Sequence, residues 1–122
     1  MQKRLRFFDK DTVDWSGPSL ASFYQRVFAL KDSAPAIWNG SAGGDQAKLE
    51  TDGGARVYAF TRSRGPSTVV VAVNFGDVPA HVHFKGLART GSYTDWFSKS
   101  SVTLPAAGML DIPAHGYRVL VR

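Results

Sequence analysis

The chain has no cysteine, a single glutamate and no long apolar run, and each shortage excludes a class of function. Without cysteine there is no disulfide framework, no thiolate metal site and no cysteine nucleophile. The one glutamate, Glu50, stands beside the Gly-rich turn Asp52-Gly53-Gly54 and reads as a solvated loop charge. It has no matched carboxyl partner on a rigid scaffold, which glycosidic chemistry requires. No apolar stretch approaches the roughly 20 residues of a membrane-spanning helix. Lys3, Arg4 and Arg6 open the chain, but polar residues follow too soon for a secretory signal. There is no G-x-S-x-G, no P-loop and no G-x-G-x-x-G. Internal repeats and low-complexity linkers are also missing.

What is present is one domain's worth of chain. The 122 residues are 43% hydrophobic and 12% aromatic, a globular composition. Folding a chain of this size buries about two-thirds of its unfolded surface, enough for one core without staples. The net charge of +5 comes from 15 Lys and Arg against 10 Asp and Glu. Apart from Lys3, Arg4 and Arg6 and the pair Arg62-Ser-Arg64, these cations are scattered singly. They form no basic stripe with interleaved stacking aromatics, so the charge reads as a solvated surface and no nucleic-acid partner is expected.

Two periods divide the chain. In "SGPSLASFYQRVFALKDSAP", Leu20, Phe23, Tyr24, Val27 and Phe28 recur at the three-and-four spacing of a helix face. Ser16 or Ser19 suits a cap, Pro18 a first turn and Lys31 the C-terminal end, and Pro35 forbids continuation. With Leu30 added, the apolar arc covers close to half the helix, wider than an ordinary surface helix needs. Such a helix wants two partners. Beyond Pro35 the chain breaks into short strands: "AKLET", "ARVYAFTR", "TVVVAVNF", "AHVHFKG", "SYTDWF", "SVTL", "GMLDI" and "YRVLV". Seven or eight such strands with Gly/Pro turns predict a mainly β fold, an antiparallel Greek-key sandwich preceded by one amphipathic helix. The β-branched "TVVVAVNF" reads as a central strand.

Three groups of residues invite a chemical reading. Asp9, Asp11 and Asp14 begin like a calcium loop, but Val13 takes the next ligand position, and the required glycine and closing glutamate are missing. His81 and His83 alternate on one strand face, a spacing that suits imidazole metal sites, and His115 lies further on. No acidic residue nearby in sequence orients their rings, so the pair is expected on a solvated face, with Val82 and Phe84 turned to the core. The aromatics Trp38, Tyr93, Trp96 and Phe97 are a candidate platform for sugar rings, although four aromatics in a sandwich of this size are more often core and rim packing. Asn39-Gly40-Ser41 is formally a glycosylation sequon. No catalytic residue, metal ligand set or cofactor is assigned.

Taken in order, "FFDKDTVDW", "FYQRVFALKDSAPAI", "VYAFTRSRG", "VVVAVNFGDVP" and "PAHGYRVL" resemble the tail of an alpha-amylase family glycoside hydrolase. In that family a segment F-Y-x-x-L-x-x-L-R-x-x-x-P-A-L forms the last helix of the (β/α)₈ barrel. Phe23, Tyr24, Leu30, Pro35 and Ala36 match it, while Val27, Lys31 and Ile37 depart mildly. A trailing strand R-x-x-x-x-x-x-V-V-V-x-N-F-S is matched by Arg62, Val69 to Val71, Asn74 and Phe75, with Gly76 in place of a small polar residue.

The resemblance implies a division at residue 36. Residues 1–36 would be a loop and the last helix of a TIM-type barrel, and residues 37–122 the C-terminal β-sandwich. The family's catalytic carboxylates lie on earlier strands of a barrel of about 250 residues. The chain would therefore be inactive alone and Met1-Gln2 the start of an excised piece. Phe7, Phe8, Trp15, Phe23 and Phe28 would rest on the barrel, the expected partner, and without it the chain is expected either to dimerise or crowd its neighbours through the Leu20–Leu30 helix or to leave residues 1–15 poorly ordered. Two other readings remain open at this point: a carbohydrate-binding module using Trp38, Tyr93 and Trp96, and a metal-dependent enzyme built on His81 and His83.

Overall fold

The computed structural model describes residues 16–17, 19–104 and 109–122. Phe7, Phe8, Trp15, the three early aspartates and Pro18 lie outside the described residues. Helix α1 spans Ala21–Ser33. Its glycine-free run of Ala, Gln, Arg, Leu and Lys favours the helical state. Leu20 occupies the N-cap and offers no side-chain cap, but Ser19 Oγ accepts the Ala21 N–H at 3.3 Å. The helix stops where Ala34 turns extended ahead of Pro35, whose ring disfavours helical φ/ψ at the preceding residue. Pro35–Ile37 form a short 3₁₀ turn, tied to the sheet by Ala36 N–H donating to Ser67 Oγ and Gly44 N–H donating to the Ala36 carbonyl. Lys31 closes this corner, donating to the Ile37 carbonyl at 2.5 Å and to Asn39 Oδ1 at 2.7 Å.

Eight antiparallel strands follow: β1 Asp45–Thr51, β2 Val57–Arg64, β3 Ser67–Asn74, β4 Ala80–Lys85, β5 Gly91–Asp95, β6 Ser101–Leu104, β7 Met109–Ile112 and β8 Tyr117–Val121. Their order in space is β6-β5-β8-β3-β2-β1-β4-β7. The run β3-β2-β1-β4 is a Greek key, because β4 returns to lie beside β1 after a three-strand meander. The fold-over happens within β1. Residues Asp45 to Leu49 pair with β2, whereas Glu50 and Thr51 pair with Lys85 and Phe84 of β4. One continuous ladder thereby bends into a six-stranded layer and a β4–β7 flap that covers it. Gly43 serves the approach to β1, since a Cβ there would sit 2.0 Å from the Trp38 carbonyl oxygen.

The inner core lies between layer and flap. Val82, Phe84, Leu110 and Ile112 of the flap meet Val57, Ala59, Val70, Ala72, Tyr93, Leu104 and Leu120 of the layer. Strand alternation then puts Val69 and Val119 on the opposite, outer face, where they join Leu30, Ala34 and Ala36 in a second cluster. β3 is thus packed on both sides, which is why its sequence is apolar without alternation. Two buried polar side chains hold the ends. Asn74 Nδ2 donates to the carbonyls of Val78 and Pro113 at 2.9 and 3.0 Å, and its Oδ1 accepts the Gly76 N–H, which pins the β3–β4 crossover to the end of β7. Asp95 accepts the N–H groups of Phe97 and Ser98 and lies 3.2 Å from Arg118 Nε, which shapes the β5–β6 turn.

Candidate functional site

The outer face carries the features that a compact domain does not need for itself. α1 crosses it and is latched to the β5–β6 turn by reciprocal hydrogen bonds. Arg26 Nη2 donates to the carbonyls of Trp96, at 2.6 Å, and Phe97, and Trp96 Nε1 donates back to the Arg26 carbonyl at 2.8 Å. The Arg26 guanidinium also stands 4.9 Å from the centre of the Phe97 ring, and Phe23 stacks on that ring at 5.4 Å with an interplanar angle of 11°. Below this latch, Leu30 is the one residue of α1 that is fully buried.

Among the described residues, none covers the other side of the helix. Leu20, Tyr24 and Phe28, at i, i+4 and i+8, are 59%, 51% and 63% exposed, and the Tyr24 and Phe28 rings lie 6.3 Å apart. Burying a side chain of this size is worth about 1.5–3 kcal/mol, so the stripe is a strong sticky surface. Between α1 and the sheet runs an open apolar groove of about 420 Å³, with Phe23, Leu30, Phe60, Val71, Phe97 and Tyr117 among its walls and Lys31, Gln46 and Arg62 at its margin. Past the groove, no described residue covers the sheet surface. The cross-strand row Tyr58–Val73–Tyr117 lies one row beyond Phe60–Val71–Val119 on the same face. Tyr58 and Phe75 there are 39% and 65% exposed, and Tyr117, at the groove's edge, is 43% exposed. Sequence reasoning missed these three. Their signal was parity, because Phe75 continues the outward positions Val71 and Val73.

The residues singled out for sugar binding do not meet. Tyr93 is corrected from platform to core: it is 2% exposed, and its hydroxyl donates to the Arg89 carbonyl at 2.7 Å. Burial pushes its phenol pKa up, against the opposing charges of Arg122 and Arg89. Trp96 is half-buried in the α1 latch, with Lys99 Nζ 3.9 Å from its ring centre. Trp38 is exposed at the corner before β1 and gives its carbonyl to Arg62. Of the expected barrel contacts, Phe23 is half-buried under the latch and Phe28 is bare.

His81 and His83 do project from the flap's solvent face, with Val82 and Phe84 turned inward. The expectation that no carboxylate orients them is corrected, because partners distant in sequence arrive through pairing. His81 Nδ1 bonds Asp111 Oδ1 directly across the β4–β7 ladder. His83 Nδ1 lies 2.9 Å from Asp52 Oδ2, and its backbone N–H donates to Asp52 Oδ1 at 2.8 Å. These bonds, the backbone one foremost, hold the Asp52 carboxyl below its ordinary pKa. Among the described residues no three His, Asp or Glu side chains converge on a metal-sized site.

Comparison with known proteins gives this face a context. The family model described as Alpha amylase, C-terminal all-beta domain, matches residues 49–119. No curated protein matches the chain. Among solved structures, the noncanonic maltogenic alpha-amylase AmyB from Thermotoga neapolitana is similar over 100% of this chain and 30% of its own, at 11% identity and a TM-score of 0.79. AmyP in complex with maltose is similar over 82% of this chain and 20% of its own, at 13% identity and a TM-score of 0.67. CldA, a cyclomaltodextrin glucanotransferase with a three-domain ABC distribution, is similar over 80% of this chain and 21% of its own, at 20% identity and a TM-score of 0.63. The chain thus spans less than a third of the length of each of these proteins.

Proposed function

The chain belongs to the alpha-amylase C-terminal all-β domain family, and from that premise we propose that it is the non-catalytic end of a longer alpha-amylase-type enzyme. In this reading residues 1–36 supply a loop and the last helix of the catalytic barrel, and residues 37–122 form the C-terminal domain. The domain's task is physical. It anchors α1 through the Arg26–Trp96 latch and presents the opposite side of the helix to the barrel, whose apolar surface it shields. The parent reaction is retaining cleavage or transfer of α-glucosidic bonds through two carboxyl groups located upstream. The supporting observation is the stripe Leu20, Tyr24 and Phe28, exposed on a helix whose other side is already satisfied.

The test has two parts. The isolated chain, incubated with starch or maltodextrin, is expected to release no sugar, and the reading frame upstream is expected to encode a (β/α)₈ barrel. Turnover by the isolated chain at enzyme-like rates, or an unrelated upstream sequence, overturns the proposal. Without the barrel, the same stripe is the surface through which the isolated chain pairs with itself, an outcome that sedimentation at rising concentration detects.

A further inference from the structure

We infer that the solvent face of the β4–β7 flap is a binding site for a transition-metal dication of the Cu²⁺, Ni²⁺ and Zn²⁺ class, held by the Nε2 atoms of His81 and His83. The inference concerns the side of the molecule away from α1 and does not depend on the reading of the chain as a C-terminal domain. Two residues apart on β4, the histidines share one face, with Cα atoms about 7 Å apart. Their side chains are 66% and 52% exposed, so no packing keeps the rings from closing on a single ion. Among the described residues no third His, Asp or Glu joins them, which makes the site an open chelate of two nitrogens with water in the remaining positions.

What separates this pair from two ordinary surface histidines is that both rings are braced. His81 Nδ1 bonds Asp111 Oδ1 on β7, and His83 Nδ1 lies 2.9 Å from Asp52 Oδ2 in the turn after β1, the strand on β4's other flank. A carboxylate only accepts, so a neutral ring donates from Nδ1 and keeps its lone pair on Nε2. This is the carboxylate–histidine arrangement that fixes the tautomer and raises the basicity of metal-binding imidazoles. The braces pull from opposite flanks, and in each ring Nε2 lies on the other side of the ring axis from Nδ1, so both Nε2 atoms are turned back over β4. Charge favours a cation here as well. The whole chain is net +5, yet this patch sets Glu50, Asp52 and Asp111 against Lys85. Imidazole nitrogens select copper, nickel or zinc, whereas calcium and magnesium take oxygen ligands.

Calorimetric titration of the untagged 122-residue chain with CuCl₂, NiCl₂ and ZnCl₂ tests the site. Saturable binding of one ion per chain at submillimolar concentration is expected, tightest for Cu²⁺. His81→Gln and His83→Gln should each abolish it, while His115→Gln, at the remaining histidine, should leave it unchanged. Asp111→Ala removes a brace and no ligand, and is expected to weaken binding about tenfold. Asp52 is the poorer choice, because its other oxygen also holds the His83 backbone N–H. Nitrogen NMR of the imidazoles gives a signature that a damaged fold would not imitate. Added Zn²⁺ should shift Nε2 of His81 and His83 together and leave His115 where it was. Absence of saturable binding overturns the site, as does binding that survives His81→Gln and His83→Gln or is lost with His115→Gln. A shift at one of the two rings alone overturns the chelate. Asp111→Ala binding as tightly as the parent overturns the role given to the carboxylates.

Discussion

The two faces of one sheet have had different fates. Among the described residues, the inner face is closed by the β4–β7 flap into a cluster of fourteen buried residues, whereas the outer face gathers five around α1 and then runs out of cover. Both faces use the same backbone and the same alternation, so the difference lies in what arrives to pack on them. The inner face is finished by strands of its own chain. The outer face is half finished, with a latch at one end and bare aromatics at the other. On the proposed reading the domain folds from one face and docks with the other, which keeps its stability separate from its partnership. Mutations should sort accordingly.

The largest effect belongs to the finished face. Phe84, buried between flap and layer, is expected to cost about 3–5 kcal/mol when replaced by alanine, through lost transfer energy and the cavity left behind. Chemical denaturation of the isolated chain measures this, and a loss below about 1 kcal/mol would mean that the flap is not part of one cooperative core. Asn74→Ala is next, at about 1–3 kcal/mol, because it leaves the buried Gly76 N–H and the part-buried Val78 and Pro113 carbonyls without the Asn74 side chain.

On the outer face the cost depends on context, which is the sharpest form of the comparison. Phe28→Ser is expected to change the stability of the isolated chain by no more than about 0.5 kcal/mol, as exposed positions do. In the longer chain the same change should cost about 2 kcal/mol, the worth of an aromatic ring buried against a partner. Equal effects in both settings would erase the distinction between the two faces. Trp96→Phe keeps the ring but deletes the N–H that bonds the Arg26 carbonyl, and should cost about 1 kcal/mol. Its signature is local: amide exchange is expected to quicken along α1 while the inner strands stay slow.

The inner face was largely legible in the sequence, and the outer face was not, for a physical reason. Strand existence is a local property, and all eight segments marked by alternation and turn residues appear as strands. β3 even announced its two-sided burial by its unbroken valines. Register and docking are not local. Asp111 reaches His81 only because β7 pairs with β4, and Arg26 finds Trp96 across 70 residues of sequence. Tyr93 misled for the same cause, since an aromatic in a short strand is equally at home on either side and only its parity with Asp95 turned it inward. The helix was expected to want two partners, of which the structure shows the sheet, and the pattern of Leu20, Tyr24, Phe28 and Leu30 does not say which partner the chain itself supplies.

The smallest expected effect lies on the flap's solvent side and is tuned by pH. Asp52 has its carboxyl pKa lowered in the folded chain, first by the His83 backbone N–H and then by the imidazole. A folded value below the unfolded one means that the ionised carboxylate favours the folded state. That contribution is fully present above the unfolded pKa of about 3.9 and is lost as pH falls through the folded value. Asp52→Asn should therefore melt slightly below the parent at pH 5, and the gap should close as both are titrated down through the folded value. Both side chains are about half exposed to solvent, so the gap should be the smallest of the series and should shrink further at high salt. A gap that is constant across the acid range would show that the Asp52 side chain acts through turn geometry at Gly53, whose N–H bonds Thr51 Oγ1, and not through its charge.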